Sequence, residues 1–198
     1  METDRRTRLT PDERRAQLVA LGVAFLADNA LDELTIEDLS ARAGVSRGLL
    51  FHYFGSKQGL HREVVRTARD SMLHATEPVA DLPPLDRLRD TLARIVAFVR
   101  EHRGTFYSLV RGVASGDEEV RAVVEEARGE QAERVIAVFL ELGVPDGPLL
   151  RIALRSWIAF AEEALVESAI GTDIPDERIV AFLERSARGV VDAVEQPA

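Results

Sequence analysis

Residues 35–57, Thr-Ile-Glu-Asp-Leu-Ser-Ala-Arg-Ala-Gly-Val-Ser-Arg-Gly-Leu-Leu-Phe-His-Tyr-Phe-Gly-Ser-Lys, constrain the fold more than any other stretch of the chain. They read as two short helices joined by a tight glycine turn. Thr35 is a natural N-cap, and Asp38 stands at the capping-box position three residues on. Ile36, Leu39 and Ala43 fall on one face of the first helix. Gly44 supplies the left-handed residue that ends it, a conformation in which a Cβ is strained. Val45 is expected to plug the core, Ser46 to cap the second helix, and Leu50 and Phe54 to face inward. The aromatic tail Phe51-His52-Tyr53-Phe54, followed by Ser56-Lys57, makes this helix-turn-helix pattern much more specific than its spacing alone.

The rest of the chain is also helical in pattern, with no sustained period-two alternation. Thr10-Pro11-Asp12-Glu13 supplies a cap, a first-turn proline and a capping-box glutamate in order. The stripe behind them is expected to be Leu18, Leu21, Val23, Ala24 and Phe25. A fourth helix runs from Ser56 to about Thr76, and Pro78 with Pro83-Pro84 then breaks the pattern. That break divides the chain into 1–76 and 77–198. Leu85, Leu88, Leu92, Ile95 and Val99 repeat at 3-4-3-4 spacing, an amphipathic helix. Further helices are expected at Thr105–Val113, from the Asp117 cap to about Leu142, from Pro148 to about Ile170, and from Pro175 to about Val194. The sequence therefore predicts an all-α fold of nine helices.

The last two of these are apolar on more than one face. Leu150, Ile152, Leu154, Trp157, Ile158, Phe160, Ala161 and Leu165 cover most of one, and Ile179, Val180, Phe182, Leu183, Val190 and Val191 stripe the other. A homodimer through a four-helix bundle is the expected use of the surplus face, with a monomer of thick core as the alternative.

Charge is unevenly placed. Residues 1–70 carry eleven basic and eleven acidic side chains, so the whole net charge of −9 lies in residues 71–198. Between 42 and 69, Arg42, Arg47, Lys57, Arg62, Arg66 and Arg69 face only one acid, Glu63. A local basic patch on an acidic protein suits phosphate contact without indiscriminate binding. With no cysteine in the chain, disulfides, thiol catalysis and cysteine metal sites are excluded. The charged start, Met-Glu-Thr-Asp-Arg-Arg, lacks a signal-peptide pattern, and Glu162 and Glu163 interrupt the longest apolar run, so a cytoplasmic chain without a membrane helix is expected. The four histidines are never three or four apart, which leaves helical metal pairing unsupported, and no cofactor motif is present.

On Thr35-Ile36 through Lys57, with Ala43-Gly44-Val45-Ser46 and His52-Tyr53-Phe54-Gly55-Ser56-Lys57, the chain resembles the TetR (tetracycline-repressor-like) family of bacterial transcriptional regulators. The resemblance covers residues 10–75. It implies an N-terminal DNA-binding unit, a connecting fourth helix, and a C-terminal domain that binds a small-molecule effector and dimerises. Thr35, Ser46, Arg47, Gly48, Leu49, His52, Tyr53 and Lys57 become the candidate DNA-binding residues. Arg47 suits guanine, whose O6 and N7 a guanidinium grips with two hydrogen bonds. The open alternative for Arg47 is a solvent-facing pair with a helix acid, and for Tyr53 a packing role. Leu49 and Phe51 depart from the family's usual small or hydroxylated residue and tyrosine, which bears on the target sequence rather than the fold.

Phe98, His102, Phe106, Tyr107, Arg111, Phe139, Trp157, Phe160 and Glu163 gather bulky and polar character in the C-terminal half. Singly, each aromatic reads as core packing. Together, and with the resemblance, they imply a cavity for a mostly apolar ligand with one polar anchor. A helical enzyme using His102, Tyr107, Arg111 and Glu162-Glu163 is the competing class, but adjacent glutamates on a helix point apart and no catalytic motif accompanies them. A helix-turn-helix that binds another protein is the third reading.

Overall fold

The computed structural model describes residues 9–112 and 117–195, with backbone alone at 111 and 112. Among these residues there are nine α-helices and no strand: α1 Pro11–Phe25, α2 Ile36–Ala43, α3 Arg47–Phe54, α4 Lys57–Ala75, α5 Pro84–Glu101, α6 Arg103–Gly112, α7 Glu118–Glu141, α8 Pro148–Leu165 and α9 Asp176–Glu195. The helix starts follow from local chemistry. Thr10 and Thr35 each close a reciprocal capping box, with Glu13 and Asp38. Ser46, Ser56 and Asp117 accept the free amides that open α3, α4 and α7. Gly44 adopts φ 63° and ends α2, while Gly55, at φ 73°, turns the chain from α3 into α4.

Two features escaped the periodicity. A single 3-10 turn, Leu31–Glu33, bridges α1 and α2. Beyond α8 the helix widens into a π turn at Val166–Ile170, so its last stretch is not regular α-helix. The sixth helix starts at Arg103, earlier than expected, with Gly104 inside it. Its expected end, Val113, and the following Gly116 lie outside the described residues.

The side chains form two cores. The first joins α1, the 3-10 turn, α2, α3 and α4 around Leu18, Leu26, Leu34, Leu39, Leu50 and Leu60. It also takes in Leu109 of α6 and Val120, Val123 and Val124 of α7, so the two halves share a packed boundary. The α1 stripe needs one correction. Ala24 faces solvent, and Val19, Gly22 and Leu26 are buried in its place. Gly22 is there because α4 lies so close that an alanine Cβ would meet Val64. Val45 is only half-buried at the edge of this core. The second core joins α5, α7, α8, the π turn and α9 around Val96, Val99, Ile136, Leu154, Ala169 and Leu183.

Candidate nucleic-acid interface and cavity

Helix α3 presents an unusually bare outer face. Leu50 and Phe54 are buried, whereas Arg47, Gly48, Phe51 and His52 are exposed, Phe51 by 50% despite its size. Gly48 has no neighbour that requires it, since a Cβ there would meet only Ser46 Oγ at 3.9 Å. A glycine without an internal reason on an exposed helix start suits close approach of another backbone. The rings of His52 and Tyr53 meet edge to face at 5.6 Å, and Tyr53 also packs against Phe54 at 6.3 Å, so Tyr53 is half-buried. Leu49 is half-buried as well.

The charged groups here are engaged. Arg47 Nη1 donates to Glu37 Oε1 at 2.9 Å, across the gap between α3 and α2. That hydrogen bond, with the positive charge behind it, holds the Glu37 carboxyl below its usual range. Lys57 Nζ donates to the Asp32 carbonyl at 2.7 Å and so closes the 3-10 turn against the start of α4. Thr35 Oγ1 is committed to its capping box with Asp38.

The basic patch counted along the sequence is therefore largely neutralised in three dimensions. Arg62 pairs with Glu119, Arg69 with Glu126 and Asp70, and Arg66 with Glu63 at 3.0 Å. Arg42 lies over the Phe25 ring, 4.9 Å from its centroid. Two of these pairs tie α4 to α7, which makes them inter-helix braces rather than a free cationic strip. Beneath them His61 is buried, its Nε2–H donating to the Leu34 carbonyl at 2.8 Å. Burial pushes its pKa down, and the bond to Leu34 offsets part of that.

A cavity of about 240 Å³ lies between α4, α5, α6, α7 and α8. Its walls are mostly apolar, from Met72 of α4, Leu88, Leu92 and Ile95 of α5, Phe106 of α6, Val135 and Val138 of α7, and Trp157, Ile158 and Leu165 of α8. Polar edges come from Arg87, Thr91, Gln131, Arg134 and Glu162. Two of these wall residues also hold the end of α4. Arg134 Nη1 donates to the carbonyls of Leu73 and Thr76, each at 3.3 Å, and Gln131 Nε2 donates to Thr76 Oγ1 at 3.4 Å.

Comparison with known proteins gives this geometry a family. Residues 18–64 match "Bacterial regulatory proteins, tetR family", and residues 84–190 match "Tetracyclin repressor-like, C-terminal domain". The chain belongs to the TetR family. Among curated relatives, it is 26% identical over 140 residues to the transcriptional repressor KstR2 of Mycolicibacterium smegmatis, spanning 69% of this chain and 68% of that protein. It is 33% identical over 90 residues to the transcriptional regulator BetI of Cronobacter sakazakii, a match that covers 43% of this chain and only 41% of BetI. A crystal structure of a TetR-family transcriptional regulator from Streptomyces coelicolor superposes with a TM-score of 0.79 at 27% identity, covering 94% of this chain and 85% of that one. The protein is thus a TetR-family transcriptional regulator, of a non-enzymatic DNA-binding class, which sets aside the helical-enzyme alternative. No helix of the described residues is long and apolar enough to cross a membrane.

The DNA-binding candidates of this TetR-family chain, Thr35, Ser46, Arg47, Gly48, Leu49, His52, Tyr53 and Lys57, all fall along the α2–α3 pair and the start of α4. The ligand candidates scatter. Phe106 and Trp157 line the cavity. Phe98 is buried elsewhere, its ring 4.4 Å from that of His102, which caps the end of α5. Phe139 is buried beside Val138 on a different side of α7 and does not line the cavity. Tyr107 is 49% exposed, and the side chain of Arg111 lies outside the described residues. Phe160 and Glu163 point away from the cavity, and Phe160 instead packs against Phe182 at 5.8 Å. The helix wheel explains this. Residues 157, 158, 161, 162 and 165 of α8 face the cavity, so 160 and 163 fall on the other side. Trp157 and Phe160, only three residues apart, thus lie on opposite sides of the boundary between the buried and the exposed face of α8. The residues missed, above all Arg87, Thr91, Gln131 and Arg134, had one legible signal: Thr91 interrupts the apolar stripe between Leu88 and Leu92.

Proposed function

We propose that this regulator is a ligand-responsive repressor that binds a palindromic operator as a homodimer and is released by a mostly apolar small molecule held in the cavity. The observation that carries the reading is the double role of Arg134 and Gln131, which line the cavity and also hold the end of α4. Met72, on that same end, is itself part of the wall. A ligand that repacks this wall alters the seat of α4, and the other end of α4 follows α3 across a two-residue turn, Gly55-Ser56. Release then requires only that the ligand bind the displaced arrangement more tightly than the DNA-competent one.

In the operator complex, Arg47 exchanges Glu37 for a guanine edge, Gly48 admits the DNA backbone, and Leu49 meets a thymine methyl or no base at all. His52 reaches a base or a phosphate. Tyr53 and Lys57 reach phosphates, and the amides following Thr35 present a helix N-terminus to another. The division of labour falls at residues 76 and 77.

Exposed apolar residues support the dimer. Leu149, Ile152 and Phe160 of α8 are exposed by 60%, 61% and 45%, and Phe182 of α9 by 46%. They lie on the faces turned away from the second core, and exposed apolar surface of this extent marks an interaction site. Two copies joined there present their α3 helices to half-sites about one DNA turn apart (~34–36 Å). The test is a gel-shift with DNA flanking the regulator's own gene, repeated against a panel of apolar metabolites. A shifted band specific to that DNA and lost on adding a panel member supports the reading. Binding that no member weakens, or no preference for that DNA over scrambled DNA, overturns it.

A further inference from the structure

The cavity wall has a polar deficit at one place. Arg87 and Thr91 stand one turn apart on α5, both line the cavity, and each holds a buried polar atom with no hydrogen-bond partner, Arg87 Nε and Thr91 Oγ1. Among the described residues only Asp117 Oδ2, at the cap of α7, shares that condition. A helical threonine ordinarily returns its proton to the carbonyl one turn back, as Thr76 does to Met72 at 2.8 Å. Thr91 does not, although it is only 7% exposed. Buried donors left without partners are costly, so natural interiors rarely keep them unless something else fills the need.

The charges around this spot are already matched. The Arg87 guanidinium pairs with Glu141 through Nη2, Arg134 pairs with Glu130 at 2.7 Å, and Glu162 pairs with Arg128 at 2.7 Å. A carboxylate entering this wall would bring an unmatched negative charge into an apolar enclosure. An ammonium group could donate to Thr91 Oγ1, but it would set a second positive charge beside the Arg87 guanidinium and leave Arg87 Nε without an acceptor. An uncharged acceptor oxygen suits both orphans, since Arg87 Nε–H and the rotatable Thr91 hydroxyl each donate to it.

Resting on the reading of the cavity as the effector site, we propose that the effector is an apolar molecule bearing one uncharged hydrogen-bond-accepting oxygen, a carbonyl or ether, held by Arg87 Nε and Thr91 Oγ1. Its size follows from the volume. An engineered protein cavity of about 150 Å³ holds benzene, so 240 Å³ accommodates about ten non-hydrogen atoms on the same scale.

Calorimetric titration of the whole protein with three probes of matched size and shape tests this: p-cymene, 4-methylacetophenone and p-toluate, which differ only in an isopropyl, acetyl or carboxylate group. The ketone is expected to bind about tenfold tighter than either of the others. Thr91→Val, a change of shape-matched groups, should cut that preference at least threefold, roughly, without weakening the binding of p-cymene. Arg87→Met should remove the remainder. Equal affinity for ketone and hydrocarbon, tighter binding of the carboxylate, or a preference that Thr91→Val leaves undiminished each overturns the proposal. Because p-cymene needs only apolar volume, failure of all three probes to bind overturns instead the reading of the cavity as an effector site, and the proposal with it.

Discussion

Replacing Gly104 by alanine tests how tightly the two halves of the protein are joined. Gly104 lies in the first turn of α6, where that helix crosses the end of α1. A Cβ built there falls 2.6 Å from the Leu26 carbonyl oxygen and closer still to that of Ala27. Both are backbone atoms, so no rotamer change relieves the clash, and α6 must withdraw by about 1 Å or more to restore ordinary contact. The neighbouring tie, Ser108 Oγ donating to the Asn29 carbonyl at 3.3 Å, is already long and opens with it. Forcing such a shift in a packed region costs about 1–3 kcal/mol, which for a protein of this size lowers the thermal midpoint by roughly 2–12 °C. Because α1 belongs to the same core as Leu50 and Phe54 of α3, operator affinity should fall as well, although residue 104 is not among the DNA-binding candidates. Gly129→Ala is the internal control. It sits mid-helix in α7 with open space around its Cβ position, and the same substitution there should stabilise by about 0.5–1 kcal/mol. Calorimetric melts of both variants give the answer. If Gly104→Ala melts at or above the wild-type temperature, α6 does not pack this closely on the end of α1.

Glu37→Gln frees Arg47 and removes a negative charge beside the proposed phosphate path, so operator binding should tighten several-fold, with the gain shrinking as salt rises; weaker binding would show that Glu37 positions Arg47 instead. Lys57→Ala should weaken binding to all DNA sequences alike and lower the salt slope by about one phosphate, as seen in anisotropy titrations at several salt concentrations; a change confined to the operator would contradict a phosphate role. His61, with its pKa pushed below 6.5 by burial, binds its proton more readily unfolded than folded. Its contribution is therefore complete above pH 6.5 and is lost as pH falls through the lowered folded value, so melts should show acid destabilisation over that window which His61→Gln flattens. Phe182→Glu should turn the proposed dimer into a 21.9 kDa monomer by sedimentation; an unchanged dimer mass would remove α9 from the proposed interface.

Features set within a few residues were readable from the chain alone. Thr10-Pro11-Asp12-Glu13, Thr35 with Asp38, Gly44 at φ 63° and the Asp117 cap all rest on hydrogen bonds between near neighbours, so their positions followed from residue type. Features set by the angle of one helix against another were not. Phe160 and Trp157 are three residues apart, yet one is exposed and the other buried by 97%, because the cavity faces one side of α8 and the outer apolar face the other. Counting charge along the sequence likewise placed Arg62 and Arg69 in a basic patch. Their partners, Glu119 and Glu126, are both 57 residues away and reach them only once α7 packs beside α4. Arg87 and Thr91 became visible as a pair only when their partnerless atoms were seen in the wall of one cavity.

The proposed reading of DNA by α3 rests on Arg47. Its most direct measurement is the affinity of the wild-type protein and of Arg47→Ala for the flanking operator and for a scrambled duplex, at one fixed salt concentration. The substitution should cost about 1–3 kcal/mol on the operator, a loss of roughly 5- to 150-fold, with little change on scrambled DNA. Equal operator affinity of the two proteins would contradict it.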